Sequence, residues 1–313
     1  MRRPLISALD LPWKPDDPCP CHSGLSYGTC CLAADGLPLI RLQKFTPPPP
    51  PTGISNPGCY MATTLNCSED ISREHYISEN ILEQLGSDQE VGGLPWIPTG
   101  ETRQYGSNAL AAKILCSRHN TAFSPLDTAA GHAFREITAA FVHAAKDSLS
   151  TRSEFFLISG DALEFWSVKT LVGMYKASIV AKDGAVLAKT HRFEDGPALA
   201  SLQGVPLQFP LGLHLFPTTV VVDSKLKFQF APLSSDEFGL YAGLRIATWG
   251  VHLDCLVEHR GLNPEFLSGP GNHRPWLIDL VGHKRTSRIV MSWAGNRTTA
   301  TRIEVQVKKR SPS

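Results

Sequence analysis

The residues of this chain best able to do chemistry are its cysteines and a few nearby histidines and carboxylates. Cys19-Pro20-Cys21 is followed by eight residues and then by Cys30-Cys31. Four thiolates within 13 residues are enough to close a tetrahedral zinc site. Soft sulfur favours zinc over the hard, oxygen-seeking cations. A segment this small has no apolar core to fold on, so the metal would supply its folding energy. A second group is more dispersed. Cys59 and Cys67 have seven residues between them, and Cys116-Ser117-Arg118-His119 follows 49 positions after Cys67. Such a set can bind zinc between a hairpin and the start of a helix. Between its halves stands Glu74-His75, a hard metal ligand beside a group that titrates near neutral pH. Phosphodiester hydrolysis needs both a deprotonated water and a divalent cation to neutralise the phosphate. Asn120 offers an amide oxygen to the same cation. The plainer alternatives are core cysteines and a hydrogen-bonded surface Glu-His pair.

Those residues need elements to position them. Residues 1–34 form a short cysteine-rich unit, with Gly24 and Gly28 able to turn sharply between the cysteine pairs. Residues 35–58 read as a linker, since Pro47 to Pro51 favour an extended polyproline spacer. Residues 59–150 form a central unit: a short helix over Ser78–Leu85, a Gly- and Pro-rich loop over 86–106, and a strand over Asn108–Leu115 leading into Cys116. Ser124-Pro125 then predicts a helix start, with Ala129, Ala133, Phe134, Ile137, Phe141 and Val142 at helical spacing after it. From 151 to 313 the pattern predicts a helix over Asp161–Lys176 and then short β runs, a mostly β domain. His191, His214, His252, His259, His273 and His283 show no ligand-like spacing and read as structural.

Residues 19–31 resemble the SEC-C motif, whose pattern is Cys-x-Cys, eight residues, then Cys or His followed by Cys. The resemblance extends to Pro20 and Ser23-Gly24, while the lysines usual between the pairs are replaced by Leu25, Ser26 and Thr29. It implies a structural zinc on Cys19, Cys21, Cys30 and Cys31. The order Glu-His followed by Cys-x2-His-Asn resembles the HNH, or ββα-metal, endonuclease family over residues 59–135. That resemblance implies His75 as general base, Glu74 and Asn120 as ligands of Mg²⁺ or Mn²⁺, and Asn108 as the residue orienting His75. It also implies a second structural zinc on Cys59, Cys67, Cys116 and His119. The expected fold class is α+β, with a small zinc knuckle, a treble-clef or ββα-metal-like centre and a mostly β C-terminal domain.

Composition narrows the partners. The formal net charge is +1 and 19% of residues are charged, so no strongly basic signature is present. Residues 52–150 carry 6 Lys and Arg against 11 Asp and Glu, and residues 151–313 carry 19 against 14. Lys284, Arg285 and Arg288 are the candidate phosphate contacts, with Lys308-Lys309-Arg310 a basic tail. No apolar run reaches the 18 residues of a membrane span, and no signal-like segment follows Arg2-Arg3. Clustered cysteines without such a segment predict a reducing, cytoplasmic setting. Neither Gly-x-Ser-x-Gly nor a Walker loop occurs. The expected function is an HNH-like nuclease acting on nucleic acid, with the knuckle as a docking module. The alternative is a non-catalytic, zinc-stabilised module binding nucleic acid or protein.

Overall fold

The computed structural model describes residues 11–86, 88–92, 94–98, 100–146, 153–182, 185–186, 196–216, 220–222, 228–234, 241–249, 251–258, 273–294 and 302–309. His191, His259 and Arg310, considered above, lie outside them. The protein is mixed α and β, with several small sheets and a cysteine cluster near the N-terminus. Its helices are α1 (Tyr27–Cys30), α2 (Glu79–Leu85), α3 (Ser117–Ala144), α4 (Gly160–Lys176) and α5 (Pro197–Leu202). Strand β1 (Ile71–His75) comes first, and β2 (Asp88–Gly92) and β3 (Thr102–Gly106) form a hairpin of their own. Strand β4 (Ala111–Cys116) pairs antiparallel with β1.

The C-terminal half supplies two larger sheets. After β5 (Glu154–Ser159) and the two-residue strands β6 (Ala181–Lys182) and β7 (Ala185–Val186) come β8 (Gly212–Phe216), β9 (Val220–Val222), β10 (Phe228–Ser234), β11 (Tyr241–Thr248) and β12 (Val251–Leu256). Strands β13 (Leu277–Val281), β14 (Thr286–Ser292) and β15 (Arg302–Lys309) complete the series. One sheet is antiparallel in the order β10-β11-β12-β8. The other is mixed, in the order β5-β14-β13-β15-β9, with only β13 and β14 antiparallel.

Helix α3 begins at Ser117 rather than at the predicted Ser124-Pro125. The Cys116 thiol accepts from the His119 backbone N–H and so caps the helix two turns earlier. Pro125 is carried inside the helix. A proline there removes one helical hydrogen bond, and the anchoring of Cys116 and His119 outweighs that loss. Of the apolar positions read from the sequence, Ala133, Phe134, Ile137 and Phe141 lie on the buried face together with Ala130 and Ala144, whereas Ala129 is half-buried and Val142 is exposed. Asn108 falls in the short 3-10 turn Ser107–Leu110 before β4, not on the strand.

Helix α4 is buried from Gly160 to Tyr175. Burying a polar group without a partner is costly, so most polar residues on this helix are paired, the Thr170 hydroxyl being an exception. Ser159 caps the helix through the Ala162 N–H, and the Asp161 carboxylate accepts from Ala294 N. Glu164 holds Arg274 through two bonds of 2.6 and 3.0 Å. Gly160 sits where a Cβ would meet the Trp293 ring at 2.3 Å, so only glycine fits there.

One core runs from Phe45 through Val307, so the central unit and the C-terminal sheets are packed together. The Pro-rich segment is laid on this body. Phe45 packs against Phe123 and Phe165, with ring centroids 6.3 and 5.1 Å apart, and the Arg118 guanidinium donates to the Pro50 carbonyl at 3.1 Å. The N-terminal knuckle is equally integrated. Cys19, Tyr27 and Cys31 form a second apolar cluster with Leu157 of β5, Leu277 of β13 and Val290 of β14. Trp13 seals it against Tyr27 and Phe155. Burying each of those aliphatic side chains contributes about 1.5–3 kcal/mol.

Candidate metal centres

In the knuckle, the turn at Cys19–His22 and helix α1 bring four thiols together. The Cys21 sulfur lies 3.2 Å from that of Cys19 and 3.5 Å from that of Cys30, and the Cys30 and Cys31 sulfurs are 3.7 Å apart. A tetrahedral zinc with bonds of about 2.3 Å sets its sulfurs about 3.8 Å apart, whereas a disulfide needs about 2.05 Å. All eight cysteines are free. Burial pushes the Cys19 thiol up to about 11. Burial also acts on Cys21, but hydrogen bonds from Ser23 and the neighbouring thiols outweigh it and bring that thiol down to about 7. Four sulfurs gathered this closely could hold a central cation as thiolates.

The central group is assembled from three places. Cys59 lies in a turn after the Pro-rich segment, Cys67 in the loop before β1, and Cys116 and His119 at the junction of β4 and α3. All four are buried. The His119 Nδ1 is 3.2, 3.7 and 3.8 Å from the sulfurs of Cys116, Cys59 and Cys67. These spacings suit three thiolates and one imidazole around zinc, for which about 3.6 Å is expected. Backbone N–H groups of Met61 and Ser68 point at the Cys59 and Cys116 sulfurs, each at 3.4 Å. Burial pushes the Cys59 thiol up to about 12, and burial with the nearby Arg118 charge pushes His119 down to about 4, which leaves a neutral, ligating imidazole. The two groups can therefore each hold a zinc ion.

Thr64, which sequence reasoning missed, completes the central site. Its hydroxyl donates to the Met61 carbonyl at 2.7 Å and accepts from His119 Nε2 at 3.2 Å. Bonding at Nε2 frees Nδ1 to face the metal. Thr64→Val removes that partner and is expected to weaken zinc at this site about 10- to 100-fold, read by competition with a chromophoric chelator. The knuckle zinc would be unchanged in the same titration.

The residues implied by the nuclease resemblance go to different partners. Strand alternation turns Glu74 inward and His75 to the opposite face. The Glu74 carboxylate bonds the ammonium of Lys169 on α4, which also takes Asp127 of α3 through both carboxylate oxygens at 2.7 Å. Ser78 donates to Asp127, and Trp166 Nε1 donates to Ser78 at 2.7 Å. Burial disfavours the ammonium, but Asp127 and then Glu74 outweigh it and hold Lys169 above the usual lysine pKa. The buried Nε2 of His75 has no hydrogen-bond partner. Asn120 donates its amide to the Ser72 hydroxyl at 3.0 Å. The Asn108 side chain is exposed, and its backbone carbonyl accepts from Arg73 at 2.8 Å. Of the candidate phosphate contacts, Lys284 is exposed, Arg285 bonds His143, and Arg288 bonds Asp279 while stacking on Phe155.

Two histidines with no sequence spacing to connect them do meet. His214 and His273 have ring centroids 4.8 Å apart beside the Glu164–Arg274 pair. Burial, helped by the His214 and Arg274 charges, pushes His273 down to about 4. Its unfolded value is about 6.5. The unfolded chain therefore binds more protons between those values, and stability falls as pH drops from about 6.5 towards 4. His273→Gln should show a shallower fall in urea midpoint between pH 7 and pH 5 than the parent. Zinc loss on acidification is common to both proteins and cancels in the comparison.

Against protein-family models, a short stretch of the chain matches. Residues 17–33 match the SEC-C motif. The match takes in all four knuckle cysteines and covers only that part of the chain. No match is found among curated proteins or among solved structures. The SEC-C knuckle here lies against a sheet of the body, with Tyr27 2% exposed and Leu157 fully buried. No helix of the described residues is long and apolar enough to cross a membrane.

Proposed function

We propose that this protein is a non-catalytic, zinc-stabilised binding protein whose central unit presents a nucleic-acid-facing surface. The observation that carries the first part of this reading is the Glu74–Lys169–Asp127 cluster. A phosphodiesterase of the HNH kind needs an acidic ligand free to take a divalent cation. Here the Glu74 carboxylate is 8% exposed and already neutralised by an ammonium of the protein's own. The central zinc group supplies rigidity, because it ties three separate segments to one point.

The binding surface is the outer face of the paired strands β1 and β4. Arg73 pairs across the strands with Lys113, and both are exposed. The nearby β2–β3 hairpin adds exposed Arg103 and the exposed Trp96, whose indole donates to Tyr105 at 2.9 Å. Cations interleaved with open aromatic faces suit single-stranded nucleic acid, through phosphate contacts and base stacking. Fluorescence anisotropy with labelled single-stranded DNA and RNA tests this. Binding that weakens with salt and is lost in Arg73→Glu/Lys113→Glu is expected. Salt-independent or absent binding would move the reading to a protein partner.

A second reading is favoured by the orphaned His75 Nε2. In it, the HNH-like unit is an active endonuclease, with His75 as base and a cation displacing Lys169 from Glu74. Mg²⁺- or Mn²⁺-dependent cleavage that disappears in His75→Ala would establish this reading over the first.

A further inference from the structure

A third cluster of metal-binding side chains lies where the SEC-C knuckle meets helix α3. His22 follows the knuckle ligand Cys21 and has a left-handed backbone, with φ of 58°. His132 and Glu136 come from α3, one turn apart at i and i+4, so both project from the same side of the helix. The Glu136 Oε1 lies 3.3 Å from His22 Nε2 and 3.8 Å from His132 Nδ1. The two imidazole rings stand nearly perpendicular, with centroids 5.6 Å apart. The helix pair is well covered, its side chains being 14% and 15% exposed, whereas His22 is 72% exposed. It is the Nδ1 of His132 that faces the Glu136 carboxylate, and burial pushes this imidazole down to about 4, which keeps it neutral and able to bind a cation.

We propose that His22, His132 and Glu136 form a third metal site, for a borderline divalent cation of the zinc, nickel or cobalt class. Two imidazoles and one carboxylate are a known ligand set for such ions, with water completing the sphere. Around a tetrahedral ion with bonds of about 2.0–2.1 Å, neighbouring nitrogen and oxygen donors stand about 3.4 Å apart. The two contacts to Glu136 fall close to that. Among the described residues, the cysteine-rich groups are the ones whose donors already lie within 4.8 Å of one another. Closing this third group takes a turn of the exposed His22 ring. Arg135, beside Glu136 in sequence, is exposed, and Glu154 adds negative charge nearby.

The bound ion would join the knuckle to the same helix that provides His119 to the central zinc. It would thus fasten the N-terminal unit at a point the two cysteine sites do not reach. This inference stands apart from the proposed nucleic-acid surface and does not depend on it.

The test uses the full chain with both cysteine-rich groups loaded with zinc. Ni²⁺ or Co²⁺ is titrated in, and bound metal is counted by elemental analysis after desalting and by calorimetry. One additional ion per chain is expected in the parent, without the intense thiolate-to-cobalt charge-transfer band of a sulfur site. His132→Ala and Glu136→Gln should each weaken that ion by about tenfold or more, and His22→Ala should do the same. Each variant must retain its two cysteine-held zincs and its circular dichroism, which separates a lost site from a lost fold. No additional ion in the parent, or an ion that all three variants bind equally well, would overturn the proposal.

Discussion

Cys116→Ser should cost the protein its central zinc and most of its cooperative fold. Cys116 does three jobs at once. It contributes a sulfur to the central group, ends strand β4, and caps the N-terminus of the 28-residue helix α3. A serine hydroxyl can still cap the helix but is a poor ligand for zinc, so the variant separates the cap from the metal. Structural zinc of this kind contributes on the order of 10 kcal/mol to folding of small modules. That exceeds the margin of about 5–15 kcal/mol on which most domains depend in the lower half of its range. The expected result is one zinc per chain instead of two, loss of the sharp thermal transition, and rapid proteolysis between residues 59 and 135. His119→Ala should behave alike. Two zincs and an unchanged melt in Cys116→Ser would show that Cys116 does not hold the second zinc.

Lys169→Met should be the most damaging single change that leaves both zinc groups intact. Its ammonium is 3% exposed and is the counter-charge for both Glu74 and Asp127. Removing one partner of a buried ionic cluster strands the others, at about 3–5 kcal/mol. Methionine keeps most of the volume, so a cavity is not the main cause of the loss. In the variant, Glu74 should take up a proton, because burial already pushes its carboxyl above the usual range even beside Lys169. Stability of the variant should therefore recover partly at lower pH, where a protonated carboxyl is cheaper to bury. Adding Glu74→Gln and Asp127→Asn to Lys169→Met should restore much of the urea midpoint. A Lys169→Met midpoint equal to that of the parent would mean the cluster contributes nothing to stability.

Both expected results arise from residues whose visibility in the sequence differs. The eight-residue gap between Cys19-Pro20-Cys21 and Cys30-Cys31 is a local pattern, and local patterns survive reading without coordinates. Cys116 and His119 are a local pair too, while Cys59 and Cys67 could be joined to them only by analogy. The fold places all four donors within 4.8 Å of one another. The buried stripe of α3 and the extent of α4 were equally legible, because helical periodicity repeats every few residues. The start of α3 was not, since Pro125 is the louder local signal and the contacts that outweigh it come from the zinc group and its cap.

The amino-acid order by itself determined the knuckle, the Cys116–His119 pair and the α+β character of the chain, because thiol spacing and hydrophobic period are properties of short windows. Tertiary structure alone decided what the remaining polar residues do. Glu74 and Lys169 are 95 positions apart, Glu164 and Arg274 are 110 apart, and His22 meets Glu136 across the knuckle seam. Nothing in a window of sequence marks such pairs. They follow from burial, which makes an unpartnered charge too costly to keep and so selects whichever opposite group the fold brings within reach. The placement of the knuckle has the same origin. Tyr27, Leu157 and Val290 are unremarkable apolar residues in sequence, and only the packing of one cluster against a sheet face makes the zinc unit part of the body.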